Sequence, residues 1–158
     1  MPPMPPVTKA LMLICTVVFC VQLLLPIVPL DAFFALWPLG SGRFWPWQVV
    51  SYGFLHGSIT HLFFNMLGLW MFGAELERLW GPRRYLQMLL ASVIAAALVQ
   101  LVFNMMVGSR APTVGASGAL FGLLLSFGML FPNRIIMPLF PPIPMKARTF
   151  VMVFGGLE

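Results

Sequence analysis

The chain has 158 residues, of which 60% are hydrophobic and only 8% are charged, and its formal net charge is +5. A soluble domain carries about 25% charged residues, so the composition excludes an ordinary soluble globular domain. The apolar residues form several runs of roughly 20, the length of helix that crosses the hydrocarbon core of a bilayer. The sequence therefore predicts one membrane domain over residues 1–158. The basic residues lie between these runs, where topology signals belong, and form no patch suited to nucleic acid.

The first apolar run, over residues 10–25, is interpreted as a retained first helix. A secretory signal is the alternative, but the run follows a Pro-rich start and has no small-residue cleavage site at its end. Cys15 and Cys20 both lie inside this run, five residues apart. Their spacing on a helix predicts neither a disulfide nor a metal site.

Four complete helices and part of a fifth are predicted. They are expected at residues 8–25, 59–79, 85–106 and 115–131, with the fifth starting near Lys146 and running to residue 158. The connection over residues 26–58 is rich in Trp and Phe, which favours a segment lying in the membrane interface. Five prolines between residues 132 and 144 predict a non-helical connection there. The predicted fold class is all-α, a polytopic transmembrane helical bundle.

The distribution of Lys and Arg predicts the orientation of these helices. Of the nine basic residues, seven lie in the N-terminal segment and in the connections on the same side of the membrane. Only Arg43 and Arg110 lie on the opposite side. Because cytoplasmic loops carry the excess of Lys and Arg, the N-terminus is expected in the cytoplasm.

Three polar residues are expected at a similar shallow depth beneath the outer surface. In the orientation just described, the second and fourth helices both start on the outer side. His61 and Asn65 lie one turn apart near the start of the second helix, and Ser117 lies in the first turn of the fourth. Polar groups at membrane depth cost free energy unless they are paired or face water. Their clustering near one surface therefore indicates a functional site.

These residue types suit acyl-transfer chemistry. His61 and Asn65 both carry side-chain donors, and two donors that converge on one point are what an oxyanion hole requires. Ser117 lies between small residues in Gly-Ala-Ser-Gly, at a helix start with free backbone N–H groups. Each residue alone also fits an ordinary role, as a packing serine, a buried hydrogen-bonding histidine or an asparagine that bridges helices. The segment is not the Gly-x-Ser-x-Gly elbow of soluble hydrolases, because position 119 is Ala.

The combination of motifs resembles a known family. In chain order the motifs are His56-x-x-x-x-His61-x-x-x-Asn65, Glu77-Arg78-Leu-Trp-Gly81 and Gly115-x-Ser117-Gly118. With them, the chain from its first helix to its end resembles the rhomboid family. Members of that family have a core of six helices and cleave the transmembrane segments of other proteins near the membrane surface. Trp47-Gln48 stands where many relatives have Trp-Arg, a departure in a structural loop feature.

The resemblance implies a role for each residue of the site. Ser117 would be the nucleophile, His61 and Asn65 would help to bind the oxyanion, and His56 would play a supporting, hydrogen-bonding part. The aromatic connection would be the family's membrane-embedded loop. The family's general base is a His on the sixth helix, whereas this chain contains only His56 and His61. We therefore expect the chain to be truncated before that helix and inactive on its own.

The function expected is that of an intramembrane serine endopeptidase working by a Ser/His dyad, without a metal or other cofactor. Its partners would be single-span membrane substrates and lipid, in a bacterial plasma membrane, with the active site opening to the outer side. A non-catalytic relative that binds transmembrane helices and a small transporter or channel subunit remain alternatives. Small residues of the fourth helix, namely Gly118, Gly122 and Ser126, are expected to contact the sixth helix.

Overall fold

The computed structural model describes residues 3–136 and 145–146. The helices in this part are α1 (Pro6–Leu24), α2 (Leu30–Phe34), α3 (Gln48–Ser51), α4 (Ile59–Gly68), α5 (Ala74–Trp80), α6 (Pro82–Val107) and α7 (Ser117–Leu130). Single 3-10 turns occur at Leu39–Ser41 and Tyr52–Phe54. A π turn, Leu69–Gly73, joins α4 to α5, so that residues 59–80 form one continuous helix. Strands β1 (Ile135–Ile136) and β2 (Met145–Lys146) pair antiparallel.

Each end of the long helices lies within three residues of the end predicted from the sequence. The connection over residues 26–58 contains the short helices α2 and α3, which the sequence did not indicate. The fourth helix was predicted to start at residue 115, but it starts two residues later, at Ser117. Gly115 has a φ of 120° and cannot belong to a right-handed helix. Lys146 lies in β2 and not at the start of a helix, so the bundle carries one small pair of strands. The rest of the predicted fifth helix lies outside the described residues.

The continuous helix over residues 59–80 packs against α1, α6 and α7. Its inward residues form one buried cluster with residues of those three helices, namely Cys15, Phe19, Leu62, Met66, Leu69, Phe72, Leu76, Tyr85, Leu89, Ala119, Leu120, Leu123 and Phe127. The rings of Phe72 and Phe127 meet edge to face, with their centroids 5.0 Å apart. Each buried residue of this kind touches several others, so the cluster fixes α7 relative to the helix over residues 59–80.

Two helices of the described part, α1 and α6, are long and apolar enough to cross a bilayer, by length and composition. Their outward surfaces carry large exposed apolar side chains, among them Leu13, Ile14, Val17, Leu90, Leu98, Val99 and Val102. Contiguous apolar surface of this extent is unusual on a soluble monomer and is suited to lipid hydrocarbon.

Glu77 attaches the start of α1 to the helix over residues 59–80. Its side chain is buried, and its carboxylate accepts hydrogen bonds from the backbone N–H groups of Val7 at 2.9 Å and Thr8 at 2.7 Å. The Thr8 hydroxyl donates to the same carboxylate at 2.8 Å. The first N–H groups of a helix have no partner within it, and the helix dipole favours a negative charge there. Glu77 therefore satisfies donors that would otherwise be buried without a partner.

The small residues of α7 contact α6, which corrects the expectation that they face a sixth helix. A Cβ atom on Gly118 would lie 2.7 Å from the Cβ of Ala96, and one on Gly122 would overlap the side chain of Ser92. The absence of side chains at Gly118 and Gly122 lets the two helix backbones approach closely, as at small-residue contacts between membrane helices. Two of the three small residues thus serve a contact within the described part of the chain.

The close contact between α6 and α7 predicts the effect of adding one methyl group. Gly122→Ala should lower the free energy of unfolding by about 1–3 kcal/mol, because the methyl group overlaps Ser92. Ser92→Gly removes the obstructing side chain, so the double variant should lose less than the sum of the two single variants. Gly40→Ala is the control, since a Cβ there has no neighbour within 4 Å. Thermal unfolding in detergent measures all four variants, and additive losses would contradict the packing described.

Candidate active site

Ser117 is the first residue of α7. Ala116 precedes it at the N-cap position, and no side chain caps the helix. The Ser117 side chain is partly buried, and within residues 3–136 its hydroxyl has no hydrogen-bond partner. The backbone N–H groups of the first helical turn likewise have no partner within the helix. The position therefore combines an unengaged hydroxyl with donors that can meet a negative charge.

His61 lies in the first turn of α4, which begins after Ser58. The Ser58 hydroxyl caps the helix by accepting the His61 backbone N–H at 3.1 Å. The backbone N–H of Gly57 reaches the Nδ1 atom of the His61 ring in a long hydrogen bond of 3.5 Å. Because Nδ1 acts as the acceptor, a neutral imidazole carries its proton on Nε2. Nε2 is then a donor.

His61 and Asn65 meet at Gly115. A Cβ atom built on Gly115 would lie 2.7 Å from Nε2 of His61 and 3.5 Å from Nδ2 of Asn65. Asn65 is buried, and among the described residues its Nδ2 atom has no hydrogen-bond partner. A buried donor without a partner is uncommon and calls for an explanation. Two side-chain donors thus converge beside the backbone two residues before Ser117.

His56 packs against His61 from the segment before α4. The two rings meet edge to face with centroids 5.2 Å apart, and neither nitrogen of the His56 ring has a hydrogen-bond partner in the described residues. Burial lowers the pKa of His56 to about 4, and repulsion from His61 acts in the same direction. His56 is therefore neutral at neutral pH and lies in ring contact with His61. Its supporting role stays a prediction.

Sequence reasoning missed Gln22, which holds the backbone of His56. The Gln22 amide accepts the His56 N–H at 3.1 Å and donates to the His56 carbonyl at 3.2 Å. It also donates to Asp31 at 2.9 Å. A polar residue near the end of an apolar helix is a signal that could have identified it.

Sequence reasoning also missed Tyr52, whose carbonyl accepts the backbone N–H of Gly115 at 3.0 Å. Nothing in the sequence distinguishes Tyr52 from the other aromatic residues of its connection.

Gln48, which follows Trp47, is fully buried and accepts the backbone N–H of Trp37 at 3.2 Å. Its amide nitrogen donates to the carbonyls of Phe33 and Arg43, at 3.2 and 3.1 Å. A neutral amide thus makes three hydrogen bonds that hold this connection together.

The arrangement can stabilise an anionic oxygen next to a serine hydroxyl. Donors from His61 and Asn65 converge beside Gly115, and the free N–H groups at the start of α7 begin two residues later, at Ser117. Neither His56 nor His61 is hydrogen-bonded to Ser117 in residues 3–136. In the same part of the chain no group of three His, Cys, Asp or Glu residues could hold a metal ion.

The Rhomboid domain model matches residues 43–157, which include all four residues of the predicted site. The chain belongs to the rhomboid family. It is similar to the mitochondrial rhomboid protein 1 of Saccharomyces cerevisiae, with 36% identity over 99 residues. It is also similar to the rhomboid protease GluP of Bacillus subtilis, with 41% identity over 78 residues, and to the rhomboid protease GlpG of Yersinia pestis, with 28% identity over 120 residues.

This rhomboid chain matches only part of each of those relatives. The aligned segments are 61%, 49% and 75% of the chain but 29%, 14% and 41% of the three relatives, in the order given. The chain therefore spans less than half the length of the curated relatives that it matches.

Gly115 predicts a strong effect from one added methyl group. Gly115→Ala would place a side chain against the His61 ring in a backbone conformation that L residues rarely adopt. Gly108→Ala is the matched control, because Gly108 has a φ of 70° but no neighbour within 4 Å of a Cβ. Gly115→Ala should lower the thermal midpoint more than Gly108→Ala, because only the added side chain at position 115 meets another side chain. Equal effects of the two variants would show that the contact with His61 is unimportant.

Proposed function

We propose that this rhomboid chain supplies the nucleophile and the oxyanion site of an intramembrane serine endopeptidase. The observation that supports this most directly is the convergence of donors from His61 and Asn65 beside Gly115, two residues before Ser117. Two of the relatives reported above are named rhomboid proteases, and the family's members are intramembrane serine proteases. A helix-binding scaffold without catalysis would have no use for a hydroxyl next to unpaired donors.

The proposed reaction is acyl transfer through Ser117. Its Oγ atom attacks the scissile carbonyl, and the carbonyl oxygen becomes an oxyanion that accepts hydrogen bonds from His61, Asn65 and the first N–H groups of α7. The proton of the hydroxyl passes to a histidine base, which returns it to the leaving amine as the peptide bond breaks. Water activated by the same base then releases the acyl group and regenerates Ser117. Preorganised donors of this kind stabilise charge that develops in the transition state.

The base of this proposed dyad is neither His56 nor His61. His61 directs Nε2 towards Gly115, and His56 is a neutral ring packed against His61 with no hydrogen bond to Ser117 in residues 3–136. A serine hydroxyl needs a base within hydrogen-bond reach to act as a nucleophile near neutral pH. We therefore assign the base to a histidine that residues 1–158 do not include.

The proposed substrates are membrane proteins with a single transmembrane helix, cleaved near the outer face of a bacterial plasma membrane. The charge distribution supports a cytoplasmic N-terminus, which puts the start of α4 and the start of α7 on the outer side. An extended peptide has to reach Ser117, so a substrate helix that unwinds near this surface is suited to the site.

Substitution of the three site residues tests the proposal in the complete gene product. Ser117→Ala should abolish cleavage of a model membrane substrate and fluorophosphonate labelling, because it removes the nucleophile. His61→Ala and Asn65→Ala should each lower kcat by about 100-fold to 1000-fold, the range for loss of one oxyanion donor. Ser126→Ala is the control, since it removes a hydroxyl farther along α7. Cleavage by Ser117→Ala at the wild-type rate would identify another nucleophile and contradict the assignment.

A second prediction concerns residues 1–158 produced alone. Because neither histidine engages Ser117, this chain should give no cleavage and no fluorophosphonate labelling in liposomes, whereas the complete gene product should give both. If the chain alone cleaves the substrate, and His56→Ala abolishes that cleavage, the base lies within it and the proposed mechanism is wrong.

A further inference from the structure

The segment that leads into Ser117 is held by the connection between α1 and α4. Leu36 and Thr113 exchange two backbone hydrogen bonds, each 2.9 Å long, in an isolated antiparallel bridge. Two residues later, the N–H of Gly115 donates to the carbonyl of Tyr52 at 3.0 Å. The approach to α7 is therefore attached to this connection at two points, of which the Tyr52 contact is nearer to Ser117.

The side chain of Tyr52 makes a second contact, with α6 and near Gly118, which follows Ser117 in the sequence. Its phenol is buried and donates a hydrogen bond of 2.7 Å to the carbonyl of Val93, in the middle of α6. The phenol oxygen also lies 3.0 Å from the position of a Cβ atom on Gly118. A phenol is protonated at neutral pH and can donate this hydrogen bond.

We propose that Tyr52 is a positioning residue for the Ser117 nucleophile. Its carbonyl bonds to Gly115, before the Ala116-Ser117 pair, and its phenol bonds to Val93 of α6 and lies beside Gly118, after that pair. The inference rests on the proposed function of Ser117, and it adds a residue outside the reacting groups to that site.

In the described residues no side-chain hydrogen bond holds the first turn of α7, so its position depends on packing and on the backbone bond of Gly115 to Tyr52. No side chain caps this helix, and within residues 3–136 the Ser117 hydroxyl is unengaged. The position and orientation of the first turn of α7 therefore depend on contacts made by neighbouring residues. A displacement of about 1 Å between a nucleophile and its target can cost about 100-fold in rate, so a modest shift of this turn is enough to be measured.

The two tyrosines of the chain provide a matched pair for the test. Tyr52→Phe removes only the phenol oxygen that bonds to Val93, and Tyr85→Phe removes an equally buried phenol oxygen on α6 that lies 3.2 Å from the Thr8 hydroxyl oxygen. Tyr85 packs against Gly73, and in the described residues no hydrogen bond joins its side chain to residues 115–118. Both variants keep the aromatic ring, so each isolates one hydroxyl.

The experiment uses the complete gene product in proteoliposomes and measures the rate constant of fluorophosphonate labelling, kcat and KM per folded molecule. Tyr52→Phe should lower the labelling rate constant and kcat about tenfold, with KM changed less than twofold, because the substrate still binds while the nucleophile is misplaced. Tyr85→Phe should leave the labelling rate constant and kcat unchanged.

Two results would overturn the assignment of Tyr52. One is a wild-type labelling rate for Tyr52→Phe, and the other is an equal loss for Tyr85→Phe, which would indicate a general effect of buried phenols. A wild-type protein that is not labelled at Ser117 would instead refute the proposed function, and the role of Tyr52 would fall with it.

Discussion

The backbone of Gly115 lies where the imidazole of His61 and the amide of Asn65 meet, and the arrangement around Ser117 depends on that contact. A side chain at position 115 would collide with the imidazole, and the φ of 120° suits glycine. The same glycine donates its N–H to Tyr52. Because it has no side chain, Gly115 lets α4 approach the start of α7. Its hydrogen bond to Tyr52 also attaches the connection over residues 26–58 at this point.

The sequence predicted the helices well where apolar runs are long and bounded by Gly or Pro. The second helix was expected to start at residue 59, where it does start, and the structure shows that the Ser58 hydroxyl caps it. The start of the fourth helix was predicted two residues early because a helical pattern cannot reveal the positive φ of Gly115. The strand at Lys146 was not predicted, since two residues carry no detectable period.

The sequence also named the residues that now lie around Gly115, but not the contacts that hold them. His61 and Asn65 share a helix face, so their proximity follows from spacing alone. Their approach to Gly115 joins segments fifty residues apart, which spacing cannot predict. The expectation that Gly118 and Gly122 face a sixth helix was wrong for the same reason, because a small-residue pattern indicates a close helix contact without naming its partner. Gln22 and Tyr52 were not identified from the sequence, because each of them bonds to the backbone of a distant residue.

The central claim is that His61 and Asn65 bind the oxyanion formed when Ser117 reacts. An experimentally determined structure of the complete protein after reaction with a fluorophosphonate tests it most directly, since the phosphonyl oxygen then occupies the place of the oxyanion. The account predicts a covalent bond to Ser117, with that oxygen about 3 Å from both Nε2 of His61 and Nδ2 of Asn65. An adduct on another residue, or a phosphonyl oxygen directed away from both side chains, would contradict it.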